Sequence, residues 1–306
     1  MDVLADVLRV TRLSGKVFCR TELTAPFGVA FPAGENMAAF HVIDRGRCWL
    51  RLDGQRAAVP LSSGEVVVIN RCIGHQLLDT PTRRSLPFPG LLARTGETSV
   101  VRHGGGGPAT TMVCGLFFSQ SGGAQALFSL LPPLLHVKSG RRLGPTLKSL
   151  AAEVGSQKPG SQALVCRLSD VLFIQVLRAW IEEQPEGAGG WLGALRDGQL
   201  ARALGHLHQE PASDWTVQRL ARLVGMSRSV FAARFKALVG LAPLEYLTRW
   251  RMQLAANQLV ETNLSLAEVS AQAGYRSAVA FNRAFKRAVG HAPGGYRRQR
   301  SVSAPA

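Results

Sequence analysis

Cysteine is scarce in this 306-residue chain and nothing in its spacing pairs it. The five residues, Cys19, Cys48, Cys72, Cys114 and Cys166, are an odd number with no C-x-x-C. That excludes the disulfide framework of a small secreted domain and suits a reducing compartment. Long apolar runs are missing too, none approaching the ~18 residues a membrane span needs. The opening MDVLADVLRV breaks its apolar pattern with acids and an arginine. Neither a signal peptide nor a transmembrane helix is expected, and the expected location is cytoplasmic. Acidic residues are few: 20 Asp/Glu face 36 Lys/Arg, a net charge of +16. Residues 196–300 carry 16 basic and 6 acidic side chains, net +10, so the basicity gathers at the C-terminal end and points to a polyanionic partner.

Residues 1–120 read as short strands punctuated by Gly and Pro, among them CWLRLDG at 48–54, EVVVIN at 65–70 and TTMVCGLFF at 110–118. RTGETSVVRHGGGGPAT at 94–110 is expected to be a flexible surface loop, because four consecutive glycines resist ordering. No helix follows it to make a phosphate cradle. From 121 to 195 the pattern turns helical, most clearly in SQALVCRLSDVLFIQVLRAWIEEQ, where Leu164, Leu168, Val171, Leu172, Ile174, Gln175 and Leu177 share one broad face. This segment is expected to be a connector and a homodimer interface, with EEQPEGAGG at 182–190 as the linker that follows.

The C-terminal part repeats itself. ARFKALVGLAP at 233–243 returns as RAFKRAVGHAP at 283–293, and the match extends over Gly225 with Gly274, Phe231 with Phe281, Phe235 with Phe285, Gly240 with Gly290 and Tyr246 with Tyr296. In the first copy Thr216 or Asp214 caps a helix with Val217, Leu220 and Leu223 inward. Gly225 makes the turn, Ser227 caps the next helix and Gly240 stops it. Ser265, Gly274, Ser277 and Gly290 repeat the plan. Each copy, at about 216–240 and 265–290, is expected to be a helix-turn-helix. Arg228, Arg234, Lys236, Arg283, Lys286 and Arg287 are placed on outer faces. The apolar-periodic stretch 243–263 between the copies would be a helical spacer of ~30 Å, close to one turn of DNA.

These residues, WTVQRLARLVGMSRSVFAARFKALVG through VSAQAGYRSAVAFNRAFKRAVGHAPGGYRR, resemble the DNA-binding domain of AraC/XylS-type regulators over about 196–298. The resemblance implies that Ser227, Arg228, Ser229, Ala232 and Ala233 in the first copy, and Ser277, Ala278, Val279, Asn282 and Arg283 in the second, meet DNA. The four apolar side chains can only touch thymine methyls or make room. Arg228 and Asn282 or Arg283 would read guanine and adenine, while Lys236 and Lys286 would hold phosphate. Residues 299–306 are expected to be a disordered tail.

FHVIDRGRCWLRLDG at 40–54, LSSGEVVVINRCIGHQLLD at 61–79 and MVCGLFF at 112–118 are similar to the cupin-type sensor of one AraC-type subfamily, which includes an activator responsive to reactive chlorine species. That likeness implies a small β-barrel in which His41, His75, Cys114 and Cys19 gather. They would act as ligands of a zinc ion or, for Cys19 and Cys114, as redox thiols of lowered pKa. Ile43 stands where cupin enzymes carry the second His of a His-x-His pair and no Glu follows, so an enzyme is not expected. The whole is a multidomain α+β chain: a cupin-like β-barrel, a helical connector and an all-α domain with two helix-turn-helix motifs. It is expected to act as a transcription activator on promoter DNA with RNA polymerase as a partner. A regulator whose barrel binds an organic effector, and a cupin enzyme with a DNA-binding appendage, stay open as other readings.

Overall fold

The computed structural model describes residues 2–34, 36–90, 100–119, 127–128, 130–138, 140–154, 156, 158–185 and 190–302. The chain forms two compact units. One comprises Leu13–Ser119 and Pro132–Gln184, and the other Met1–Arg12, Gln120–Leu131 and Pro185–Ala306. These divisions differ from the boundaries at 120 and 195 expected from sequence, and the packing of two short segments explains why.

The β-rich unit contains β1 (Leu13–Thr24), β2 (Gly28–Phe31), β3 (Met37–Arg45), β4 (Arg47–Leu52), β5 (Val59–Ser62), β6 (Val66–Ile69), β7 (His75–Leu78), β8 (Leu86–Pro87), β9 (Val100–Gly104), β10 (Ala109–Ser119) and β11 (Leu134–Val137). They form a six-stranded sheet in the order β11-β6-β3-β10-β1-β9 and a five-stranded sheet in the order β5-β4-β7-β2-β8. Leu23, Ile43, Val67 and Met112 from the first sheet share one apolar core with Val29, Leu50 and Leu77 from the second. The expected barrel is therefore two facing sheets in place of one closed ring.

Two sequence expectations hold only in part here, for local reasons. The glycine-rich stretch is partly strand, since β9 pairs in parallel with β1 and β10 begins at Ala109; residues 94–99 of that stretch lie outside the described residues. Its glycines are ordered by close backbone approach. A Cβ at Gly104 or Gly107 would strike the carbonyl oxygens of Thr24 or Ala25, whereas the bare backbone lets the amides of Gly105 and Gly107 donate to those same oxygens at 3.1 and 2.8 Å. The connector is not all helix either. The apolar segment behind Pro132–Pro133 pairs with β6 as β11, from Leu134 with Ile69 to Val137 with Val66.

Helices α2 (Gly140–Glu153) and α3 (Ser161–Glu183) complete this unit. Helix α3 lies on β1 and β10: the Asp170 carboxylate accepts from the Gly15 amide at 2.8 Å, and Phe173 packs against Phe117 with ring centres 4.6 Å apart. Its buried side is Val165, Ser169, Leu172, Phe173, Val176, Leu177, Ala179 and Trp180. Of the broad face read from sequence, only Leu172 and Leu177 belong to it, while Leu164 and Val171 are exposed.

The helical unit contains α1 (Val3–Thr11), α4 (Trp191–Ala194), α5 (Gly198–Gln209), α6 (Val217–Leu223), α7 (Arg228–Val239), α8 (Pro243–Glu261), α9 (Leu266–Gln272), α10 (Ala278–Val289) and α11 (Pro293–Val302). Helix α1 begins the chain yet buries Val3, Leu4, Val7 and Val10 here. The Asn257 amide donates to the Val10 carbonyl, and Arg12 pairs with Glu261 at 2.8 Å. Helix α11 extends through residues 299–302, where a tail was expected; residues 303–306 lie outside the described residues. No helix among the described residues is long and apolar enough to cross a membrane.

Candidate nucleic-acid interface and thiol–imidazole cluster

Two helix pairs, α6–α7 and α9–α10, follow one plan and flank α8. Thr216 and Ser265 cap α6 and α9, the latter in a full capping box with Glu268. Gly225 and Gly274 turn the chain at φ of +70° and +77°. Ser227 and Ser277 then cap α7 and α10 by accepting from the amides of Val230 and Ala280, and Gly240 and Gly290 end both helices in the left-handed region. The inward side of each is a ladder of rings. Phe231, Phe235 and Tyr246 lie 5.6 and 5.9 Å apart in one pair; Phe281, Phe285 and Tyr296 lie 5.7 and 5.6 Å apart in the other. Both Phe–Tyr contacts are edge-on at 72°, so the repeated residues are core and stop signals, as the sequence suggests. Leu220 is buried as expected, but Leu223 is exposed.

The outward sides differ. Arg228, Ser229, Ala233 and Lys236 are exposed on or beside α7, and Ala232 is half-buried. On α10, Ala278, Val279, Asn282, Arg283 and Lys286 are exposed, Val279 at 59%. The Ser227 and Ser277 hydroxyls are exposed but engaged as caps. None of the ion pairs between described residues engages Arg228, Lys236, Arg283 or Lys286. Arg234 is exposed as the sequence places it, and it pairs with Asp197 at 2.6 Å. Val230, exposed at 55%, was not marked by the sequence because its type looks like core.

The second site lies inside the β-rich unit. In the first sheet β1, β10 and β3 are neighbours, and their registers set Cys19 opposite Cys114 and Cys114 opposite His41. Three sequence-selected residues thus stand in one row across three strands. The fourth, His75, comes from β7 of the facing sheet. Its Nε2 is 2.7 Å from Nε2 of His41, whose Nδ1 is 3.1 Å from the Cys114 sulfur, and His75 Nδ1 is 2.8 Å from the Ile73 carbonyl. Phe31 packs on both imidazoles, stacked on His75 at 5.0 Å and tilted against His41 at 4.8 Å. None of the four is more than 1% exposed.

Burial sets the protonation. It pushes His41 well below the usual imidazole range, with His75 adding to the shift, and lowers His75 despite the Ile73 carbonyl and the Asp53 carboxylate. It raises the Cys114 thiol well above its ordinary value, reinforced by Cys19 and opposed by the Thr21 hydroxyl beside the sulfur. Cys48 is pushed up to about 12. The low-pKa thiol expected at Cys114 is therefore corrected: the sulfur is held protonated by a dry, apolar setting. Thr21, which the sequence reading passed over, sits two residues beyond Cys19 on the same strand face.

The donor types suit zinc, but their placement does not. Cys114 and His75 lie at opposite nitrogens of the one His41 ring, so a single ion cannot take all three with the ring so placed. Among the described residues no three His, Cys, Asp or Glu side chains are arranged to hold a metal ion.

A family model described as a cupin matches residues 2–182, and one for a helix-turn-helix domain matches residues 220–299. A Streptomyces lividans protein described as an AraC-like transcription regulator is 34% identical over 302 residues, covering 97% of this chain and 98% of its own length. The RCS-specific HTH-type transcriptional activator RclR of Escherichia coli K12 is 29% identical over 311 residues, spanning all of both chains. The solved DNA-binding domain of AdpA in complex with a target DNA is 32% identical over 33% of this chain and 92% of its own, with a TM-score of 0.33.

Proposed function

The chain belongs to the AraC-like transcription regulators with a cupin domain ahead of a helix-turn-helix domain, and we propose that it activates transcription by gripping promoter DNA through two helix-turn-helix units. The observation that carries this reading is the pair α7 and α10: same caps, same ring ladder, same stop, with exposed and dissimilar outer faces. Arg228 reads guanine in one box, and Asn282 or Arg283 reads adenine or guanine in the other. Val279 and the alanines meet thymine methyls, and Lys236 and Lys286 hold phosphate. Helix α8, 19 residues long, makes a spacer of about 28 Å at 1.5 Å per residue, which suits boxes about one DNA turn apart. RNA polymerase is the partner of a bound activator, and the exposed Leu164 and Val171 of α3 supply the surface for a homodimer.

The signal in this reading is oxidation of the Cys19–Cys114 pair. Opposed residues of an antiparallel pair stand about 4.5–5.5 Å apart at Cα, within the span of a disulfide. RclR, named as specific for reactive chlorine species, supports an oxidant of that class. Footprinting of wild type and Cys19→Ser, each with and without hypochlorous acid, tests it. Two protected boxes whose occupancy changes on oxidation in wild type alone are expected. Identical protection in all four samples refutes the redox signal, and one compact box refutes the double reading head.

A further inference from the structure

Asp197, at the start of α5, divides its carboxylate between two tasks. Oδ1 accepts from the amides of Gln199 and Leu200 at 3.0 and 3.1 Å and so caps α5, while Oδ2 lies 2.6 Å from the Arg234 guanidinium of α7. Gln199 is divided in the same way. Its Nε2 donates at 2.6 Å to the carbonyl of Val224, the residue closing α6, and its Oε1 accepts from Arg234 Nη1 at 3.5 Å. One helix end therefore holds the α6–α7 pair on both sides of its turn.

The place of Arg234 in α7 points it away from DNA. At about 100° per residue, Arg228, Ser229, Ala232, Ala233 and Lys236 share one arc, and Arg234 stands roughly 170° from the middle of that arc. Phe231 and Phe235, both buried, lie between the two flanks. Asp197 is 9% exposed at its side chain and already fixed by two amides, so its carboxylate is in place before DNA arrives. The second helix pair has no such tie at this position. Ala284 stands where Arg234 would be and packs, half-buried, on the core of that pair.

We propose that Asp197, Gln199 and Arg234 form a brace that fixes the roll of α7, and that Arg234 is a positioning residue for Arg228 which touches neither base nor phosphate; this rests on α7 being the reading head of the first box. A bidentate contact from arginine to guanine needs two donors aligned with O6 and N7 at once. At a side-chain radius of about 6 Å, a roll of about 10° carries the Arg228 guanidinium ~1 Å, beyond the ~0.5 Å within which a recognition group must be held. A tether on the flank opposite the DNA-facing arc resists that roll. The same pairing occupies the Arg234 charge, so it neutralises no phosphate.

The test is equilibrium binding of the full-length protein to the duplex it selects from a random pool, and to duplexes changed one base pair at a time, over a series of salt concentrations. Arg228→Ala identifies the first box as the one whose base preference it abolishes. Asp197→Asn keeps the cap on α5 but loses the charge, and Arg234→Met keeps much of the stem. Each is expected to lower discrimination at the base read by Arg228 about 10-fold, a large part of what one bidentate pair supplies. The double variant should be no worse than either single one. Preferences in the second box and the dependence of affinity on salt should stay at wild-type values.

A role in holding the fold alone would weaken both boxes together and leave base preference intact, which overturns the proposal. A salt slope lowered by about 0.9 in Arg234→Met but not in Asp197→Asn also overturns it, because Arg234 would then be on phosphate. If Asp197→Asn does not fold, wild-type discrimination in Arg234→Met overturns the brace. Preference lost in Arg228→Ala but kept in the other two variants overturns the brace alone. Preference kept in Arg228→Ala removes α7 as a reading head, and the brace falls with it.

Discussion

Gly225 and Gly274 occupy the same place in the two helix pairs, yet replacing each by alanine is expected to have different consequences. Both have positive φ, +70° and +77°, which any L side chain adopts at a cost of about 1–2 kcal/mol. At Gly225 that strain is the whole effect, since a Cβ there meets nothing within 4 Å. At Gly274 the Cβ would lie 2.8 Å from the Ala212 carbonyl oxygen and 3.0 Å from its Cα. The Ala212 backbone cannot retreat freely, because Arg251 donates to the Pro211 and Ser213 carbonyls on either side of it at 2.5 and 2.9 Å. Moving the segment sacrifices at least one charged hydrogen bond, about 1.5–3 kcal/mol. Gly274→Ala should therefore cost about 2 kcal/mol more than Gly225→Ala, roughly a 30-fold difference in the equilibrium for local opening. Amide hydrogen exchange in the full-length protein measures it, comparing protection lost in α9–α10 with protection lost in α6–α7. Losses equal within a few-fold would refute the reasoning, because they would mean that the 211–213 segment yields without strain and φ alone decides.

Two further outcomes follow from burial. N-ethylmaleimide added to the reduced native protein should label half-exposed Cys166 and spare Cys19, Cys48, Cys72 and Cys114, all buried, until denaturant is added; rapid native labelling of Cys19 or Cys114 would show the core to be open. His208 on α5 is hydrogen-bonded through Nε2 to the Tyr246 hydroxyl at 2.7 Å, stacks on Trp250 at 4.0 Å and is pushed by burial down to about 3. Its unfolded form binds a proton below about 6.5 and its folded form does not, so stability is full above that pH and falls as pH drops from 6.5 toward 3, by up to about 1.4 kcal/mol per pH unit. Protection factors in α5 and α8 should follow that slope, and His208→Gln should remove it.

The helix pairs were legible in the sequence because a repeat supplies its own alignment: Phe235 and Phe285 could be recognised as core, and Gly240 and Gly290 as stops, by recurring in register. Gathering His41, His75, Cys114 and Cys19 was legible only through a family likeness. Their order in space was not, because it depends on which strands are neighbours, and β1, β10 and β3 are far apart in the chain. Arg234 is exposed as the sequence places it, but helical periodicity could not reveal its partner, the Asp197 carboxylate at the N-cap of α5. The glycines at 105–107 do form an exposed turn, as read, but the hydrogen bonds that hold it escaped the sequence for a related reason: their partners Thr24 and Ala25 are some eighty residues away.

The assignment of α1 to the helical unit changes how this protein can be divided. A regulator recombined by a single cut after α3 would carry α5 and α8 away with the surface that Val3, Leu4, Val7 and Val10 normally cover left bare. The transferable DNA-binding piece is discontinuous in sequence, and exchanging sensors between relatives would require grafting β1 onward behind a retained α1.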